Sequence, residues 1–421
     1  MNEYRPRIAD GELQARLGRS GAVLIEGPRA CGKTRTAQQV ARSEVLLDVS
    51  PGLIEAARTD PAFLLAGERP RLIDEWQLAP ELWNAARHVV DMSDADGQFI
   101  FTGSAVPADD ATRHTGAGRF SRLRMRPMSL FEQGVGTGGA AISRLIEGEA
   151  VSAPASGRGI EDLIDAVCRG GWPRNLDRPL EDAMARMRDY VCEIETTGID
   201  PLMPSRRDPV RIRAVMKALA RNVSTEATMA TLARDAAGFA GLGTVDPDTV
   251  SGYLSALERI HVLDQVPAWR GYIRSSVALR VAPKRNFTDP SVAVAALEAS
   301  GVHVRGDLEY LGLLFESLAI RDLRVLSAPS GGEVSHMRDA KGREIDAVIS
   351  FGYRKWIAVE IKMASTGPRV EAAAAALLSF ARRVDTAMEG EALALVVLVG
   401  SGPAYRRVDG VHVIPIWALE P

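Results

Sequence analysis

The loop Gly27-Pro28-Arg29-Ala30-Cys31-Gly32-Lys33-Thr34 has the spacing GxxxxGKT, and its residue types suit the handling of phosphate. Gly27 and Gly32 let the backbone curl so that successive N–H groups face inward, where a helix start adds partial positive charge. The Lys33 ammonium would reach the β- and γ-phosphates of a nucleoside triphosphate, and the Thr34 hydroxyl would ligate Mg²⁺. An apolar run, Val23-Leu24-Ile25, precedes the loop, and a helical pattern runs from Arg35 to Arg42. A chance glycine-rich turn is the competing reading, but strand before and helix after is the setting this chemistry needs. The implied ligands are ATP and Mg²⁺.

Further on, Arg71-Leu72-Ile73 ends in Asp74 and Glu75. Phosphate-loop ATPases place a Mg²⁺-coordinating Asp where Asp74 stands, and Glu75 is placed to polarise the attacking water. A solvent-facing acid pair is the plainer alternative. Gln98-Phe-Ile-Phe-Thr102-Gly-Ser104 closes another apolar run on small polar residues. Thr102 and Ser104 fall where AAA-type ATPases keep a polar sensor for the γ-phosphate; a strand-ending turn competes. Arg119, within Gly116-Ala-Gly-Arg-Phe120, is a candidate γ-phosphate contact, in cis or as a finger from a neighbouring copy, against a structural ion pair.

A second constellation lies in the last third. Leu313 to Asp322 reads as an amphipathic helix with Glu316 among apolar neighbours. Asp346 lies near the start of the strand Glu344 to Ser350. In Trp356-Ile-Ala-Val-Glu360-Ile-Lys362, Glu360 and Lys362 share one strand face. Glu316, Asp346, Glu360 and Lys362, in this order, resemble the active site of the PD-(D/E)XK nuclease superfamily. The resemblance implies Mg²⁺ held by Asp346 and Glu360 with Glu316 helping, and Lys362 positioning or deprotonating the attacking water. An exposed Glu/Lys strand face is the alternative, and superfamily members often keep the fold without turnover. His412 reads as an ordinary surface or edge histidine on the last strand.

The elements that must position these residues alternate strand and helix through the first third, with the fifth strand at Leu123 to Ser129. That alternation predicts an α/β fold with a mainly parallel sheet covered on both faces. Residues 137–158 are a Gly/Ala/Pro-rich connector, and 159–222 read as helical throughout. Helices at 229–234 and 248–260, followed by a strand at 262–269, have the order of a winged helix. Its would-be recognition helix, Thr249 to Leu257, is poor in base-reading side chains.

Gly27–Thr34, Leu72-Ile-Asp-Glu-Trp-Gln77, Phe101-Thr-Gly-Ser104 and Gly118-Arg-Phe120 with Pro127-Met-Ser-Leu-Phe-Glu132 together resemble prokaryotic AAA-family ATPases that carry a C-terminal domain of unknown function. Gly170-Gly-Trp-Pro173 and Lys284-Arg-Asn-Phe-Thr-Asp289 extend the resemblance, with Arg174 and Pro290-Ser291 departing from it. It implies a P-loop AAA-type core over 1–136, a connector and helical lid over 137–222, a winged-helix-like region over 223–290 and a nuclease-like α/β domain over 291–421.

Composition agrees with an ordinary soluble protein of 421 residues, 46% hydrophobic and 25% charged. The net charge of −3 gives no overall sign of nucleic acid, although 111–126, 206–221 and 269–286 are rich in Arg and Lys. Three scattered cysteines exclude a disulfide framework and zinc spacing. With no apolar signal core and no long apolar span, a cytoplasmic protein without membrane contact is expected. Two functions fit: an ATPase that acts on DNA or RNA through the second constellation, or an ATP-dependent switch whose nuclease-like domain only binds a partner. A finger role for Arg119 would require a homo-oligomer.

Overall fold

The computed structural model describes every residue except 1–2, 94, 105–117, 199–207, 242–243, 270–281 and 340. The basic residues Arg113, Arg206, Arg207, Arg270, Arg274 and Arg280 lie outside the described residues. The described residues divide into two compact units: the first is Met1–Pro127 with Ala256–Val262, and the second is the remainder.

In the first unit, α1 (Ile8–Leu17), β1 (Ala22–Glu26), α2 (Lys33–Gln38), β2 (Ser43–Leu46), α3 (Pro51–Thr59), α4 (Pro61–Leu65), β3 (Arg71–Asp74), α5 (Glu81–Asp91), β4 (Phe99–Gly103) and β5 (Phe120–Arg124) follow in order. α3 and α4 are separated at Asp60, which caps α4 through the Phe63 N–H while Pro61 starts the new turn. The strands form one parallel sheet in the order β2-β3-β4-β1-β5. β4 therefore lies between the strand that feeds the phosphate loop and the strand that ends in Asp74. The fifth strand begins earlier than expected: Phe120 pairs with Ala22 and Arg124 with Glu26. One face of the sheet is sealed by α5, whose Leu82, Trp83, Ala86 and Val90 are buried. Trp83 stands edge-on to Phe120 at 4.3 Å and lies 5.7 Å from Phe101. Burying such rings contributes about 1.5–3 kcal/mol each, which holds the strand ends that carry the polar residues.

The second unit begins with β6 (Ala140–Ala141), α6 (Ile142–Ile146), α7 (Ile160–Arg169), α8 (Leu180–Glu193), α9 (Pro209–Arg221) and α10 (Met229–Ala240). The helix α11 (Pro247–Arg259) comes next, and then α12 (Pro290–Ala296), α13 (Gly301–Gly306) and α14 (Leu308–Ser327). The region read as continuously helical is thus interrupted after α7, where Gly170 takes φ 70°. The helix read as ending near Arg234 runs on to a left-handed cap at Gly241. The strand expected over 262–269 appears only as bridges, Leu263 to Phe287, Val266 to Lys284 and Ala268 to His336.

The chain closes with β7 (Glu333–Arg338), β8 (Glu344–Ser350), β9 (Trp356–Lys362), α15 (Pro368–Ala381), α16 (Thr386–Glu389), β10 (Ala392–Val399), β11 (Tyr405–Arg406), β12 (His412–Pro415) and β13 (Leu419–Glu420). β7, β8 and β9 form an antiparallel meander, and α15 crosses over to bring β10 parallel to β9. The sheet order is β11-β12-β10-β9-β8-β7, with β13 paired instead to β6. His412 is buried rather than outward: β10 and β11 pair with β12 on its two sides, and burial holds the imidazole below its usual pKa.

The motif residues Gly171 and Asp289 meet in the second unit. Asp289 accepts from Gly171 N at 3.0 Å, Ser291 N at 2.9 Å, Ser291 Oγ at 2.6 Å and Arg321 Nη1 at 2.7 Å. Arg321 also pairs with Asp322, whose other oxygen accepts from Leu130 N at 2.9 Å. This network is wholly buried and stitches α12 and α14 to the loop after α7.

Candidate functional site

The phosphate loop is built by close approach. A Cβ on Gly27 would meet Met125 O at 2.4 Å, and Gly32 adopts φ 110° just before α2. Both positions therefore demand glycine. Lys33, buried at the start of α2, donates from Nζ to Gly27 O and Pro28 O, each at 2.9 Å. Arg7, which sequence reasoning passed over, is buried behind the loop and donates to Cys31 O and Arg126 O, each at 2.8 Å. Its only signal was an Arg near the start of a short helix, which names no partner.

Asp74 and Glu75 stand at the end of β3, and the adjacent β4 supplies their supports. Asp74 Oδ1 accepts from Thr34 Oγ1 at 2.8 Å and from Thr102 Oγ1. Burial raises the Asp74 carboxyl above its usual pKa, while the two hydroxyls pull it back down. Glu75 takes the left-handed conformation at φ 52° and ψ 44°, a strained position for a residue with a side chain. Its Oε2 accepts from Gln77 Nε2 and from Ser104 Oγ, the latter at 3.3 Å. Thr102 and Ser104 are thus brought to the Asp-Glu pair, and Gln77 joins them without having been singled out. Mg²⁺ takes few protein ligands and keeps several waters. The juncture of the Thr34 hydroxyl and the Asp74 carboxylate fits that demand.

Arg119 lies elsewhere. Its backbone carbonyl accepts from Ala22 N at 3.2 Å, which puts it at the start of β1, and the phosphate loop leaves from that strand's other end. Its Nε pairs with Asp91 at 2.6 Å. In a parallel sheet the strand starts face away from the strand ends, so the expected contact in cis is ruled out.

The C-terminal constellation converges. Lys362 Nζ bridges Asp346 Oδ2 at 2.8 Å and Glu360 Oε2 at 2.7 Å, and Ile361 N donates to the same Asp346 oxygen at 2.8 Å. Glu316 on α14 joins through a residue not assigned to the site: Lys284 Nζ lies 2.6 Å from Glu316 Oε1 and 3.7 Å from Asp346 Oδ1. Burial pushes Glu316 up to about 7, and burial with the neighbouring Asp346 does the same to Glu360. Burial also works to raise Asp346, but the Lys284 and Lys362 ammoniums overcome it and hold that carboxyl below the usual range. The surrounding carboxylates outweigh burial at both lysines and raise them, so both stay charged.

Glu316, Asp346 and Glu360, expected as metal ligands, are instead paired with the ammoniums of Lys284 and Lys362. Among the described residues no three His, Cys, Asp or Glu side chains are spaced to hold a metal. Two ammoniums already satisfy the three carboxylates. Close by, His336 Nδ1 lies 3.5 Å from Glu226 Oε1, and burial and the charge of Lys284 lower His336 to about 4.

Residues 19–133 match the family described as an AAA domain. Residues 160–303 match a domain of unknown function (DUF8612), and residues 311–419 match another (DUF4143). Among curated proteins, an uncharacterized protein of Mycobacterium bovis and one of Mycobacterium tuberculosis are each 26% identical over 368 residues, 86% of this chain and 74% of theirs. The Walker-type ATPase of Pyrococcus abyssi aligns over 70% of this chain and 99% of its own, at 15% identity and a TM-score of 0.42. No described helix is long and apolar enough to cross a membrane. The AAA-domain match, on the residues that form the phosphate loop and the Asp-Glu pair, supports a P-loop AAA-type core that binds and hydrolyses ATP.

Proposed function

We propose that this protein is an ATP-dependent switch: its first unit binds and hydrolyses MgATP, and its C-terminal α/β domain engages a partner. The observation that carries the reading is Asp74 accepting from both Thr34 and Thr102 beside the strained Glu75. Lys33 would leave its two carbonyls for the β- and γ-phosphates, with the loop Gly27 to Thr34 around them. Mg²⁺, held by Thr34 and Asp74, would neutralise charge on the phosphate oxygens. Glu75, aimed by Gln77 and Ser104, would orient the attacking water and accept its proton. Thr102 acts through Asp74 as a positioning residue. Steady-state ATP hydrolysis by wild type beside Glu75→Gln tests this reading, and equal rates would sink it. Arg119, half exposed at the far end of the sheet, suits a finger offered to a second copy. In that case specific activity rises with protein concentration in wild type and stays flat in Arg119→Ala.

A second reading, that the partner is DNA or RNA, draws on the meeting of Asp346, Glu360 and Lys362 and on the basic stretches. Gel-shift and cleavage assays on single- and double-stranded DNA and RNA, with and without ATP, decide it. Absence of binding under all conditions leaves a protein partner.

A further inference from the structure

We propose that Lys284 is the resident cation of the Glu316, Asp346 and Glu360 cluster, so that the C-terminal domain takes no divalent cation there and cuts no phosphodiester bond. The inference deepens the switch reading and rests on it. A hard divalent ion needs several oxygen donors open toward one point. Here the Lys284 ammonium lies 2.6 Å from Glu316 and 3.7 Å from Asp346, where it would repel a second cation. Lys362 and the Ile361 N–H engage the other Asp346 oxygen, and Lys362 also closes on Glu360.

Lys284 comes from outside the α14-to-β10 arrangement, and its backbone is fixed. Lys284 N donates to Val266 O and Val266 N to Lys284 O, both at 3.0 Å. The next residue repeats the lock: Ser224 N donates to Arg285 O and Arg285 N to Thr225 O, both at 2.8 Å. An ammonium held this way has already lost its chain freedom, so it competes with a free ion at high effective concentration. The motif Lys284-to-Asp289 therefore has two anchoring ends: Lys284 in the carboxylate cluster and Asp289 in the Arg321 network.

The test titrates full-length protein, without nucleotide, with Mn²⁺ and reads the unbound ion by electron paramagnetic resonance. Wild type and Asp346→Asn should deplete Mn²⁺ alike. Lys284→Met should gain one site at least tenfold tighter than any in wild type, and the gain should vanish in the Lys284→Met, Asp346→Asn double variant. Mn²⁺ bound by wild type and released in Asp346→Asn overturns the proposal, and so does a folded Lys284→Met that gains no site. Should Lys284→Met not fold, the wild-type and Asp346→Asn pair decides by the same criterion, joined by nuclease assays in Mn²⁺. Asp346-dependent cutting by wild type also overturns it. ATP turnover in the same samples reports separately on the first unit: its absence from wild type sinks the ATPase reading and leaves the Mn²⁺ result standing.

Discussion

Each unit buries one lysine at the heart of a polar cluster, and the two differ in what the ammonium touches. Lys33 donates to the neutral carbonyls of Gly27 and Pro28, whereas Lys284 is paired with Glu316 and faces Asp346. An anionic acceptor attracts an ammonium more strongly than a neutral carbonyl does. A triphosphate therefore competes favourably for Lys33, because phosphate oxygens are better acceptors than the carbonyls they replace. An incoming cation at the second cluster must displace an ammonium that its carboxylates hold and its backbone pins. The same residue type, equally buried, marks a site ready for an anionic ligand in one unit and a site closed to cations in the other.

The sharpest way to break this contrast is Glu75→Gln. Loss of the water-orienting carboxylate should cut ATP turnover by about 10²–10⁴-fold while a fluorescent ATP analogue still binds. Glu360→Gln, the matching change in the second cluster, should leave turnover close to that of wild type, because it touches none of the residues of the phosphate-loop site. A Glu360→Gln loss as large as that of Glu75→Gln would erase the distinction.

A smaller effect separates two clusters within the second unit. Arg321→Met strands Asp289 and Asp322 in a wholly buried network and should destabilise that unit by about 3–5 kcal/mol in urea titrations. Lys284→Met should cost less at neutral pH, because Glu316, already pushed up to about 7, can take a proton once its partner is gone. Equal losses would show that the Glu316 carboxyl cannot be relieved in that way.

The smallest effect is in the pH dependence. His336 is buried neutral, lowered to about 4 against a usual 6.5. A lowered folded pKa contributes stability that is complete above 6.5 and is lost as pH falls through 4. Stability of wild type should thus decline between those values more steeply than that of His336→Gln. In Lys284→Met the imidazole pKa, followed by NMR, should rise, since part of the lowering comes from the Lys284 charge.

Much of the first site is legible in the sequence because its chemistry is local. GxxxxGKT packs glycines, lysine and threonine into one loop, and Asp74, Glu75, Thr102 and Ser104 each end an apolar run. Only the cis contact of Arg119 fails, because the motif around it does not say at which end of a parallel strand a residue sits; pairing of Phe120 with Ala22 puts it at the start. Lys284 is hidden by distance along the chain: it meets Glu316 only when the 282–287 segment folds against Val266. His412 is misread because alternation assumes one wet face, whereas every residue of β12 is buried. Of the second constellation, types and order are readable, Lys362 included, but the second ammonium, Lys284, emerges only from the packing.

The central claim is that Lys33 serves a ligand site and Lys284 fills one. Its most direct test is MgATP hydrolysis by wild type, Lys33→Ala and Lys284→Met measured side by side on folded protein. The expected result is turnover in wild type, a loss of about 100-fold or more in Lys33→Ala and a rate within about twofold of wild type in Lys284→Met. Hydrolysis that survives in Lys33→Ala, or collapses in Lys284→Met, would contradict the account.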